Sequence, residues 1–499
     1  MFRNFRRDRT VSDTTAMRAE TRKTAAGLAI ILPLLLAGCS TPVPQALAPQ
    51  MQPKSFATAA PDQAKIWPDP SWWQGFGDPQ LTSLVEQAQS GNRDIAIAAA
   101  RVLQAEAQST IQRSALFPQI GGQADYNRGG CKGASCQRFL NGKQFDLTLN
   151  ASYELDIWGL ARDNLKAAQE QLKSARFAQQ SVALTVTANV ASQYLALQAI
   201  RHRIAIQNQN LAAINTILEA IQLKVKAGSI SHLDLAREQA QLEQVQSQIP
   251  ALETLERQTL YNLAVLLGRP PEGFDVPTVD LDKIVAPAVG PGLPSDLLVR
   301  RPDIAQAEAN LASAHANVDA ARAAFLPQIS LTGSGGFLST AIGTLLQGSN
   351  FGYGYGANLL QTIFDGGRLL GQKDLSEAQQ QEFIASYQSA ALNAYSDVET
   401  ALTQVANTGR SENHLRREIT AAEEAFQISQ LQYRQGTADL LNVLQAQQQL
   451  FSAQDQLVQI QLANRQAGVH LYEALGGGWV EQPEDRTQVA EVEAGTKEK

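Results

Sequence analysis

A chain of 499 residues with a formal charge of −7 is long enough for two or three domains, and its slight acidity gives no reason to expect nucleic acid as a partner. Its histidines, His202, His232, His315, His414 and His470, are widely scattered. No HExxH, GxSxG or GxxxxGK pattern occurs, so nothing in the chain indicates an enzyme.

The N-terminus reads as an export signal. Arg3, Arg6, Arg7, Arg9, Arg18, Arg22 and Lys23 precede the apolar run AAGLAIILPLLLAG. Basic residues followed by roughly a dozen apolar ones form a secretory signal, too short for a spanning helix of about 20 residues. The run ends in LAGC, Leu36 to Cys39, which resembles a bacterial lipobox. That implies a signal peptide over 1–38, cleavage before Cys39 and acylation of its sulfur. Ser40 follows, not the Asp that commonly retains a lipoprotein in the inner membrane, so the expected destination is the outer membrane. Residues 39–78 form an extended, lipid-anchored segment. Cys131 and Cys136 share the loop RGGCKGASCQR. In an oxidising compartment they either form a disulfide across the loop or remain two thiols, and no further metal ligands stand nearby.

The chain is then written twice. RDIAIAAARVLQAEAQSTIQRSALFPQI aligns with PDIAQAEANLASAHANVDAARAAFLPQI, matching Asp94 to Asp303 and Pro118 to Pro327. Further on, Gly159 matches Gly367, Gly228 matches Gly436 and Gly268 matches Gly476. A long unit repeated once indicates duplication and not a solenoid. The first repeat spans 79–268, a Pro-rich irregular linker 269–294, the second repeat 295–476, and a polar tail 477–499.

Each repeat opens with an Ala-rich helix, Asp94 to Phe117 and Asp303 to Leu326, that leads directly into a pair of strands. Strands are predicted at about 119–127, 144–157, 328–338 and 351–361. In FDLTLNASYELDI, Phe145, Leu147, Leu149, Ala151, Tyr153, Leu155 and Ile157 alternate with polar or charged residues. FGYGYGANL alternates aromatic residues with glycines. Period-two alternation over roughly nine or more residues suffices for tilted bilayer-spanning strands. Four strands cannot close in lipid, because each unpaired backbone group at an open edge costs several kcal/mol. Several chains must therefore share one barrel, two giving eight strands and three giving twelve, and the strand pattern alone does not choose.

Long helices follow. Leu160 to Ala227 lacks Gly and Pro and could reach about 100 Å if continuously helical. Its counterpart, Gln372 to Gln435, is interrupted only by Gly409. Return helices run from about Ser231 to Leu267, with Pro250 inside, and from about Ala438 to Leu475. Gly228 and Gly436 suit the C-caps at the turns between them.

WWQGFGDPQL, GLPSDLLVRRPDI and FLPQISLTG (Trp72 to Leu81, Gly292 to Ile304, Phe325 to Gly333) resemble the TolC-like outer-membrane efflux proteins, NodT-type lipoprotein branch. The resemblance covers nearly the whole mature chain. It implies an α+β membrane protein, a homotrimer whose twelve-stranded β-barrel continues into a long periplasmic α-helical coiled-coil tunnel. It also implies an exit duct of a tripartite pump, working with a periplasmic adaptor and an inner-membrane transporter of the RND type. No cofactor is implied beyond the lipid on Cys39. The same resemblance puts a gate at the periplasmic tip. There Asp234 of the first-repeat turn is expected to contact Tyr433 of the second, with Arg434 joining the network. Leu441, Asn442 and Gln445 fall at the constriction, where relatives often carry Asp, so a weaker acidic ring or a mainly steric gate is expected. Gly228, Ser229, Gly436, Thr437 and Ala438 are the expected adaptor contacts.

Overall fold

The computed structural model describes residues 53, 55–57, 67–129, 142–285, 292 and 294–480. Every described residue belongs to one compact unit within Pro49–Lys499. Cys39, Cys131, Cys136, the signal region and the tail beyond Val480 lie outside the described residues.

The first repeat runs α1 (Pro79–Gly91), α2 (Arg93–Ser114), β1 (Gln119–Gly129), β2 (Gly142–Leu155), α3 (Leu160–Lys226) and α4 (His232–Leu266). After the linker come a single helical turn, α5 (Pro294–Leu297), then α6 (Pro302–Ala323), β3 (Gln328–Ser339), β4 (Phe351–Leu360), α7 (Arg368–Gln435) and α8 (Leu440–Ala474). The duplicated order matches the sequence reading. At 67 and 68 residues, α3 and α7 each extend about 100 Å. Gly409 lies inside α7 without breaking it, since neighbouring Ala, Gln and Leu carry the helix across one poor residue. Both Ala-rich helices stop about three residues earlier than predicted. Phe117 and Leu326 precede Pro118 and Pro327, and a residue before proline is driven out of the helical region. β2 likewise ends at Leu155, short of Ile157. Asp156 leaves the strand to cap α3, accepting from the backbone N–H of Ala161 (3.0 Å) and Arg162 (2.9 Å).

The four strands form one antiparallel sheet in the order β1-β2-β3-β4. Its register puts Ala124 opposite Leu147, Leu147 opposite Phe337 and Phe337 opposite Phe351. Directly paired residues share a face, so the dry residues of all four strands gather on one side. On that side Tyr353 is 78 % and Tyr355 89 % exposed in a single chain. The opposite side carries Gln123, Asn150, Thr148, Thr332 and Ser334, and on β4 only Gly352, Gly354 and Gly356 before Asn358. β1 and β4 each pair along one edge only.

The largest core lies where the helices of both repeats meet the linker. Trp72 stacks on Tyr472 at 5.0 Å, joining the segment before α1 to α8. Asp78 is buried yet satisfied: it caps α1 through Gln80 N–H (2.8 Å) and accepts from the Tyr194 hydroxyl at 2.5 Å. The linker is pinned by α3 and α8. Gln198 donates to the Pro277 carbonyl and accepts from Val279 N–H, while Arg465 donates to the Ile284 carbonyl.

The repeats are tied off by one device used twice. Asn92 caps α2 and donates to the Leu266 carbonyl (2.8 Å); at the matching place Arg301 donates to the Ala474 carbonyl (3.0 Å). Gly268 and Gly476 follow these carbonyls with φ of 69° and 84°. A Cβ there would sit 2.1 Å from the Gly91 oxygen or 1.9 Å from the Arg300 oxygen. Only glycine permits that crossing. Arg301 is also paired with Asp303 (2.7 Å) and Asp397 (3.1 Å), which gives the VRRPDI string its structural task.

Candidate functional site

The tip is built by two near-identical turns. α3 ends in a Schellman motif, with Gly228 N–H donating to the Val225 carbonyl and Ser229 N–H to that of Lys224. The Ser229 hydroxyl donates to the same Lys224 oxygen at 2.8 Å. α7 repeats the pattern: Gly436 N–H donates to Tyr433, Thr437 N–H to Gln432, and the Thr437 hydroxyl to that Gln432 oxygen at 3.1 Å. Each hydroxyl thus secures a carbonyl the helix leaves open. The return helices begin differently. Ser231 caps α4 by accepting from Leu233 N–H (3.0 Å), whereas the Asp439 side chain caps nothing on α8.

The two hairpins pack on each other. Ile221, Leu440 and Val443 are buried together, with Ile217, Val225, Ile230, Leu235, Phe426 and Tyr433 closing round them. Tyr433 is therefore brought against the first-repeat turn. Its ring lies under the Lys224 ammonium at 4.2 Å. The expected bond to Asp234 is not made: the Tyr433 hydroxyl is buried and has no hydrogen-bond partner. Asp234, half-buried in the first turn of α4, acts on it through space. Burial first, then the Asp234 and Glu238 carboxylates, push the phenol above its ordinary value.

The other predicted residues point away from this packing. Leu441, Asn442 and Gln445 are exposed in the single chain, on the side of α8 opposite the buried Leu440, Val443 and Gln447. Arg434, Gly228, Ser229, Gly436 and Thr437 are exposed as well, and Ala438 is half-buried. A Cβ on Gly228 or Gly436 would meet nothing within 4 Å, so both turns present bare backbone. Two residues went unnoticed in the sequence. Glu238 and Gln447 are fully buried, and no polar atom of either side chain has a partner. The signal for Glu238 was its place on the apolar stripe Leu235, Leu242, Val245 of α4, at helical spacing.

Among the described residues no group of three or more His, Cys, Asp or Glu could hold a metal ion. No described helix is long and apolar enough to cross a membrane.

The arrangement is shared with known proteins. The family model for outer membrane efflux proteins matches twice, over residues 84–269 and 293–477, one match to each repeat. The pyoverdine export outer membrane protein OpmQ of Pseudomonas putida is 36 % identical over 465 residues, covering 90 % of this chain and 96 % of that protein. The cation efflux system protein CusC of Escherichia coli is 29 % identical over 451 residues, covering 89 % and 97 %. Among solved structures, the outer-membrane channel OprN superposes with a TM-score of 0.82 at 27 % identity, covering 88 % of this chain and 99 % of that one. A duplicated helix–strand chain with a one-faced sheet and a double match to that model is a member of the outer membrane efflux protein family, located in the outer membrane.

Proposed function

We propose that three copies of this chain close a twelve-stranded barrel, continued by a helical tunnel into the periplasm, and serve as the passive exit duct of a tripartite efflux pump. The observation that carries the reading is the sheet: one face apolar from β1 to β4, and two edges left without partners. In lipid each unpaired backbone group costs several kcal/mol, and only closure with further copies removes both edges. The dry face then meets lipid and the wet face lines the bore.

Substrate arrives from an inner-membrane transporter of the RND type through a periplasmic adaptor, and the energy comes from that transporter. The adaptor seats on the bare turns at Gly228, Ser229, Gly436, Thr437 and Ala438. The gate is the packed tip, held by the Tyr433 ring beneath Lys224, with Asp234 and Arg434 beside it and Leu441, Asn442 and Gln445 lining the constriction. Its acidic ring is weak, because amides stand where Asp residues would sharpen it. A lipid on Cys39 anchors each copy. Relatives of comparable identity carry names for pyoverdine, toluene and cation export, which supports leaving the choice of cargo to the transporter.

The test is planar-bilayer recording of the purified full-length protein. Tyr433→Ala, which removes the ring from the Ile221–Val443 cluster and from beneath Lys224, is expected to conduct several-fold more than wild type with the oligomer intact. Unchanged conductance would remove the gate assignment, and a purified protein that is monomeric in detergent and never conducts would remove the duct.

A further inference from the structure

The four helices of the tip are held by two apolar clusters with an unsatisfied polar level between them. Ile221, Leu440 and Val443 form the cluster next to the turns. Ile214, Val245, Leu450 and Phe451 form the next one, and Phe426 of α7 touches both. Glu238 stands between Leu235 and Leu242 on α4, and Gln447 between Val443 and Leu450 on α8. Counted from His232 and Leu440, where those helices begin, both lie roughly 10 Å in. Both side chains are 0 % exposed. Neither Glu238 oxygen and neither Gln447 amide atom has a hydrogen-bond partner.

A buried carboxylate with no partner is among the costliest groups a fold can hold, whereas the neutral acid is tolerable. The surrounding charges do not relieve it. Asp234 lies one turn earlier on the same helix and offers no opposite charge. From α7 comes Tyr433, whose phenol both carboxylates disfavour as an anion. From α3 comes Lys224, engaged over the Tyr433 ring. From α8 comes only the neutral Gln447.

We propose that Glu238 is a proton-operated latch of the tip: its neutral acid lets the four helices stay packed, and loss of its proton drives them apart. The proposal rests on the gate reading given above. Burial alone pushes this carboxyl up to about 7 from its ordinary 4.5. In a loosened, wetted tip it returns to the ordinary value. The packed form therefore keeps its full advantage below about pH 4.5, loses it steadily as pH rises to about 7, and regains none above. The span corresponds to roughly a 300-fold change in the packed-to-loosened ratio for each copy.

The experiment is planar-bilayer conductance of the full-length protein from about pH 5 to about pH 8.5. Wild-type conductance should rise several-fold between about pH 5 and about pH 7 and level off above, and its protonated-carboxyl infrared band should vanish over the same interval. Glu238→Gln, which cannot ionise, should conduct weakly at every pH and lack that titrating band; Glu238→Leu should behave alike and covers the case in which the amide disturbs packing. A wild-type pH profile surviving in both variants would overturn the latch. If Tyr433→Ala still opens the channel in the same recordings, the gate stands and only the latch falls. If neither that variant nor pH alters conductance, the gate reading fails and takes the latch with it.

Discussion

Alanine at Gly436 and at Gly476 poses the same backbone problem in two different surroundings. Both glycines end a long helix of the second repeat in the left-handed region, with φ of 75° and 84°. An alanine pays about 1–2 kcal/mol for that conformation at either place. At Gly436 nothing lies within 4 Å of the added Cβ, so the cost stops there. At Gly476 the Cβ would meet the Arg300 oxygen at 1.9 Å, and the crossing must open by about 1.5 Å to reach ordinary contact. Opening it pulls Arg301 from the Ala474 carbonyl and strains its pairs with Asp303 and Asp397. Unpairing a buried charge costs about 3–5 kcal/mol, so the total is about 5 kcal/mol against about 1. Thermal unfolding of the purified proteins in detergent, at one scan rate, measures the contrast. Gly436→Ala should melt a few degrees or less below wild type, and Gly476→Ala should barely accumulate as folded protein. Gly436→Ala should nevertheless export poorly in cells if its methyl stands, as proposed, on the bare turn that receives the adaptor. Equal losses of stability at the two sites would refute the close crossing as the cause. Unimpaired export by Gly436→Ala would refute the assignment of that turn to the adaptor.

Two further outcomes follow from the same geometry. Arg301→Ala should lose about 1–3 kcal/mol by leaving the Ala474 carbonyl unpaired, the half-exposed Asp303 and Asp397 being able to rehydrate, and Arg301→Lys should recover only part of it because one ammonium cannot serve both carboxylates and the carbonyl; melting temperatures of the three proteins rank them. On the sheet, Tyr353→Arg puts a charge on the dry face and should cost about 2–4 kcal/mol and block membrane assembly. Ser334→Arg, on the wet face of the neighbouring strand, should assemble normally and alter conductance alone; assembly of Tyr353→Arg at wild-type yield would reverse the assignment of the two faces.

Periodic features were readable in the sequence because they depend on near neighbours. The duplication, the alternation from Phe145 to Leu155 and the uninterrupted stretch behind α3 each follow from local chemistry. Strand and helix ends were less legible. Asp156 continues the alternating pattern but serves α3, and nothing in the pattern distinguishes a last strand residue from a first cap. The tip was half legible. Position in the repeat brings Tyr433 to the first-repeat turn, yet whether its hydroxyl bonds to Asp234 depends on rotamers and interhelical distance, to which sequence spacing is blind. Asn92 and Arg301 went unnoticed because unlike side chains perform the same task in the two repeats. Glu238 was hidden for another reason: one acid among several in a polar, Gln-rich helix looks solvated until one asks which stripe it occupies.

The bare lane on β4 has a consequence for traffic. On the face proposed to line the bore, Gly352, Gly354 and Gly356 offer a passing molecule only peptide groups, with no ionisable side chain and no hydrophobe to cling to. Were three copies to close the wall as proposed, three such smooth tracks would descend the channel. A surface so poor in anchoring points would discriminate little between unlike molecules and would release each quickly.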